Sequence, residues 1–189
     1  AISMDKGGTL WVGSFNGEVY AFNPSAGARQ EIPKMIEVEG YVQSFYHTER
    51  QLLIGCDFGL YIYDKQNDQP LLFELEKEDN HSTKHVVTFL REDESRVWVG
   101  TGTGLYLLHL LDLKVESKIH HKEEGRGGLT TNTVQALLRN RPNQILVGTA
   151  NFLNLVDFSK PYFKNISKNK LGKHSLNDNV VFSVPKLNQ

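Results

Sequence analysis

Cysteine is almost missing from this 189-residue chain, where Cys56 stands alone. A lone thiol excludes an intrachain disulfide, a thiolate metal cluster and the small secreted scaffold held by bridges. It leaves the compartment open, because a periplasmic domain with a rich apolar core needs no disulfide. No apolar run approaches the roughly 20 residues that a membrane-spanning helix requires, so direct membrane contact is not expected. Charge of one sign is lacking too. Lys and Arg number 21 against 22 Asp and Glu, a formal net charge of −1, so no global field draws the chain to nucleic acid or anionic lipid. No stretch holds a convincing helical apolar period over three turns, no signal-peptide pattern opens the chain, and no kinase nucleotide motif is present.

What is there is repetition. Val97-Trp98-Val99-Gly100 runs through Gly104 into Leu105-Tyr106-Leu107-Leu108, which reads as two short strands around a tight turn. The same pattern recurs as Leu10-Trp11-Val12-Gly13 through Gly17, as Leu52-Leu53-Ile54-Gly55 through Gly59, and as Ile145-Leu146-Val147-Gly148, where Phe152 replaces the second glycine. Gly13, Gly55, Gly100 and Gly148 lie 42, 45 and 48 residues apart. A period in the forties built of strands points to propeller blades rather than a helical solenoid. The expected fold is therefore all-β, a β-propeller fragment of about four four-stranded antiparallel blades.

Each unit parses into four strands. Val42, Val86, Val134 and Val180 open the first, polar turns follow, and the glycine-flanked hairpin supplies the second and third. A weaker fourth strand is expected over 30–38, 70–75, 115–120 and 162–166, where Pro33 and Pro70 suit an outer edge. The repeat units fall at about 1–41, 42–85, 86–133 and 134–179, with the first strand of a further blade at 180–189, all within a single propeller segment. Because Ala1-Ile2-Ser3-Met4 already lies inside a unit, the sequence is expected to be an excised piece. A partial propeller, a four-bladed ring, or a ring completed by two chains as a homodimer would each account for the count.

Asp93, Val97-Trp98-Val99-Gly100-Thr101 and Gly104-Leu105-Tyr106 together resemble the two-component regulator propeller repeat. Met4-Asp5 with Gly8-Thr9-Leu10-Trp11-Val12-Gly13-Ser14 is similar, and Ser175-Leu176-Asn177-Asp178-Asn179-Val180 resembles the segment that joins such repeats. The likeness covers nearly the whole chain. It departs at Phe152 and at Leu53 and Leu146, which stand where tryptophan is expected. The resemblance implies the periplasmic sensing region of a Bacteroidetes hybrid two-component histidine kinase, anchored in the inner membrane, that responds to carbohydrate. It also implies further blades and domains of a parent sensor as partners.

In that fold the loop between strands two and three shares a face with the lead-in to strand one. This face would gather Phe15, Asn16, Tyr41, Asp57, Phe58 and Asn151, aromatic rings beside amides and a carboxylate, which suits an oligosaccharide or another small ligand. Trp11 and Trp98 recur at one repeat position and read as blade packing. His109, His120 and His121 have no acid or thiol at ligand spacing, so no metal is expected. Cys56 has no fixed basic partner to activate it, Gly125-Arg126-Gly127-Gly128 precedes no helix, and no cofactor or catalytic seat is expected. A non-catalytic scaffold that binds a partner protein is the alternative reading.

Overall fold

The computed structural model describes residues 1–25, 34–76, 85–121, 128–159 and 162–166. The described residues form sixteen strands and no α-helix. They build four antiparallel sheets, each a four-stranded meander in chain order. The first holds β1 (Ile2–Met4), β2 (Leu10–Gly13), β3 (Glu18–Phe22) and β4 (Lys34–Glu37); the second holds β5 (Val42–His47), β6 (Gln51–Cys56), β7 (Gly59–Asp64) and β8 (Pro70–Phe73). The third holds β9 (Val86–Arg91), β10 (Arg96–Thr101), β11 (Gly104–His109) and β12 (Lys114–Ile119); the fourth holds β13 (Val134–Arg141), β14 (Gln144–Thr149), β15 (Leu153–Asp157) and β16 (Tyr162–Ile166).

The expected four-by-four arrangement is what forms. The outer strands are shorter than expected in the second sheet, ending at Phe73, while 30–33 of the first lie outside the described residues. The strand expected at 180–184, the joining segment 175–179 and the loop residues 125–127 also lie outside them. The chain divides into two compact units, Ala1–Val86 and Val87–Gln189.

In the first unit, alternation sends Trp11, Val19 and Ile36 to one face of the first sheet, here called trailing. That face meets Val42, Leu52, Ile54, Tyr61 and Tyr63 on the leading face of the second sheet, in one apolar cluster. Gly13 is glycine because β5 crosses it. A Cβ there would stand 2.4 Å from Val42 Cγ1 and 2.9 Å from Phe45 Cζ. In the second unit Trp98, Leu105 and Leu107 pack on Val134, Ile145 and Val147 in the same manner, and a Cβ on Gly100 would meet Val134 Cγ1 at 2.7 Å.

A polar clasp reinforces each packed pair at the end where strands one and two turn. The Trp11 indole N–H donates to Asp5 Oδ2 at 3.1 Å. Lys65, from the second sheet, donates to the same carboxylate at 3.2 Å and lies 5.9 Å from the indole centroid. In the other unit the Trp98 indole donates to Glu92 Oε2 at 2.5 Å, and Arg139, from the fourth sheet, pairs with that carboxylate. Phe158 stacks on Trp98 with centroids 5.3 Å apart.

Equal glycine spacing hides two different turns. Cys56 pairs with Gly59 and Thr101 with Gly104 across two-residue connections, and both glycines have positive φ, near +144° and +140°. Gly17 instead ends a three-residue connection, with Ser14 N–H donating to Glu18 O and φ at +84°. Thr149 bonds Phe152 O as Thr101 bonds Gly104 O, so Phe152 fills the glycine position without disturbing the fourth sheet.

Candidate functional site

Ser14 shapes the first loop. Its hydroxyl accepts the N–H groups of Asn16 and Glu18 at 3.1 and 3.0 Å, a local side-chain turn that lifts Phe15 and Asn16 outward. Two main-chain bonds then tie the loop to the lead-in of β5: Val38 N–H to Gly17 O and Val42 N–H to Ser14 O, both 3.0 Å. This tie lays Phe15 over Tyr41, with ring centroids 5.2 Å apart and planes 11° from parallel. Phe15 remains 81% exposed, so its outer face is open.

Tyr41 is held at its far end, where its hydroxyl accepts the Gln43 side-chain N–H at 3.0 Å. Gln43 can reach back because it sits in a β-bulge, between the Val42–Cys56 and Ser44–Gly55 pairs. Gly40, at φ +82°, brings the main chain against the next loop. A Cβ there would clash with Asp57 Oδ1 and Phe58 Cδ2. Asp57 Oδ1 is buried without a hydrogen-bond partner, and Phe58 stands 57% exposed. Burial holds the His85 imidazole below its ordinary pKa, and the nearby Asp57 carboxylate works in the opposite direction.

Five of the six residues singled out from the sequence, Phe15, Asn16, Tyr41, Asp57 and Phe58, thus sit on one loop cluster of the first unit. Asn151 lies exposed in the second unit, on the connection closed by Thr149 N–H to Phe152 O. Gln43 was not among them. Its signal is the Val-Gln pair that recurs as Val134-Gln135, where the ladder again skips the glutamine.

The nucleophile and metal candidates have ordinary structural surroundings. Cys56 is fully buried, its thiol donates to Gly59 O at 3.3 Å, and burial raises its pKa. Ser3 Oγ and His47 Nε2 lie 2.8 Å apart, but His47 Nδ1 faces no hydrogen-bond partner, so the orienting third group of a nucleophilic triad is missing. His109 pairs with Asp112, and His121 Nδ1 lies 2.9 Å from Leu129 O. Among the described residues no three His, Cys, Asp or Glu side chains converge as metal ligands.

The four sheets define the fold as that of a β-propeller segment. The chain is similar to the extracellular domain assigned to the hybrid two-component system BT4673 from B. thetaiotaomicron, at 20% identity and a TM-score of 0.70, over 95% of this chain and 24% of that one. The corresponding domain of BT3049 from the same organism gives 20% identity and 0.66, over 92% and 24%. The WD40 β-propeller domain of Doa1 gives 11% and 0.66, over 97% and 55%. The chain thus spans about a quarter of the two-component domains it matches, and at these identities the likeness is one of fold. No family model and no curated protein matches it.

Proposed function

We propose that residues 1–189 are a non-catalytic, extracytoplasmic segment of a two-component sensor histidine kinase, one continuous piece of a larger periplasmic propeller that binds an oligosaccharide and relays its presence. The observation that carries this reading is the Phe15–Tyr41 stack, open on its outer side and flanked by Asn16, Asp57 and Phe58. A flat apolar face beside amide and carboxylate groups matches the two-sided chemistry of a sugar ring, whose C–H face stacks while its hydroxyls hydrogen-bond. Its propeller fold, shared with extracellular two-component domains, supports the same assignment.

Calorimetric titration with a panel of plant and host glycans tests it. Binding is expected for at least one glycan, with affinity lost in Phe15→Ala and Tyr41→Ala while circular dichroism stays unchanged. A bound glycan whose affinity ignores both substitutions removes the site. The exposed rings of Phe15 and Phe58 also suit a protein partner, the scaffold reading. In that case cross-linking in cells captures a protein through this loop cluster and no glycan binds.

A further inference from the structure

The leading face of the first sheet is barer than its counterpart one repeat later. Ile2 and Met4 are 71% and 57% exposed. In the repeat they hold the positions of Phe45 and His47, as the cross-strand pairs Ile2–Val12 and Phe45–Ile54 align them. Phe45 packs on the cluster between the first two sheets, and His47 lies against Trp11. The cross-strand partners repeat the contrast. Leu10, Val12, Tyr20 and Phe22 are only half-buried, whereas Leu52, Ile54, Tyr61 and Tyr63 are 0%, 0%, 8% and 1% exposed.

We propose that this face is an interface and that its occupant is the trailing face of the fourth sheet of a second copy of the chain. Repeat packing names the chemistry of the occupant, because a leading face is covered by the trailing face of another sheet of the same design. The fourth sheet has such a face in Leu146, Leu153 and Leu155, all half-buried, at the positions that Trp11, Val19 and Ala21 hold in the first sheet. A net charge of −1 sets up no repulsion between copies. The length favours a second copy, since four sheets cover 55% of the Doa1 propeller domain and two copies supply about as many strands as one closed propeller of that kind. Closure is how propellers protect their edges, and a heterologous contact made twice closes a two-chain assembly.

The repeat also fixes which residues meet. His47 stands 6.2 Å from Trp11, centroid to centroid, so Met4 of one copy belongs opposite Leu146 of the other. This interface is independent of the ligand proposed above. The test mixes the single variants Met4→Cys and Leu146→Cys under mild oxidation, with the buried Cys56 silent, and follows mass by light scattering. The expected result is a two-chain species in the parent chain, cross-linked only in the mixture and dissociated by Ile2→Glu with Met4→Glu. Leu111→Glu, on an 84% exposed turn residue, should leave it intact. A parent chain that stays monomeric at submillimolar concentration overturns the proposal, as does a Met4→Cys self-cross-link, which would place first sheet on first sheet. Dimers indifferent to the double glutamate variant overturn it too.

Discussion

The two clasps perform one task with different chemistry. In the first unit a short carboxylate, Asp5, takes the indole N–H and a lysine, with His47 at the edge of the ring. In the second unit the longer Glu92 takes the indole and a guanidinium, and Phe158 covers the ring. His47 and Arg139 hold the same repeat position, each opposite the third residue of its second strand's pairing, Leu52 and Ile145. One of these groups titrates near neutrality and the other never does. The shared part, a tryptophan anchored through its N–H, is packing. The variable part makes the first unit sensitive to acid and leaves the second indifferent at the same position.

The comparison breaks most sharply at the tryptophans. Trp11→Ala and Trp98→Ala should each cost about 3–5 kcal/mol in denaturant unfolding, with hydrogen-exchange protection lost first in the unit that carries the change. Next come the carboxylates. Asp5→Asn and Glu92→Gln each leave a cation and weaken an indole bond, and a loss of about 1–3 kcal/mol is expected. If either proves neutral, its clasp is only contact. Acid titration separates the two units. Burial, and to a lesser degree Lys65, lowers the His47 pKa, so the folded first unit binds fewer protons than the unfolded chain. Its stability contribution is complete above the ordinary value of 6.5 and declines as pH falls below it. His47→Phe should flatten that slope, and Arg139 should give the second unit none there.

Asp5 adds a lower window. Burial alone would raise its pKa, but the bonds from the Trp11 indole, the Thr9 N–H and the Lys65 ammonium together bring it to about 2. Its contribution is therefore present above the ordinary 3.8 and lost as pH drops from there towards 2, which hydrogen exchange of the first unit in acid would follow. The smallest effect belongs to Lys65→Met, with a loss of about 0.2–1 kcal/mol for a partly exposed pair. A larger value from a double-mutant cycle with Asp5 would mark the lysine as more than a peripheral member.

The fold was legible because strand repeats leave a local record. Gly13, Gly55, Gly100 and Gly148 are spaced by the blade, and each apolar alternation lies within a dozen residues. The clasps were not legible, since Lys65 lies 60 residues from Asp5 and Arg139 lies 47 from Glu92. Such partners are set by how sheets pack, and no local period records them. Gly17 misled by sharing its spacing with Gly59, because spacing counts residues whereas the turn depends on how the Ser14 hydroxyl folds the loop. At the candidate site the rings and Asp57 could be gathered from topology. The bulge that turns Gln43 onto Tyr41 could not, because a skipped ladder position has no compositional mark.

Cys56 gives the chain a built-in clock. Its thiol is sealed at zero exposure, satisfied by Gly59 O and raised in pKa by burial, so an oxidant or alkylating reagent meets it only when the second sheet opens. The rate of thiol modification in native buffer therefore counts openings of β6 from β7 without any label being added. The same seal lets the chain carry a free thiol through an oxidising compartment with no partner to trap.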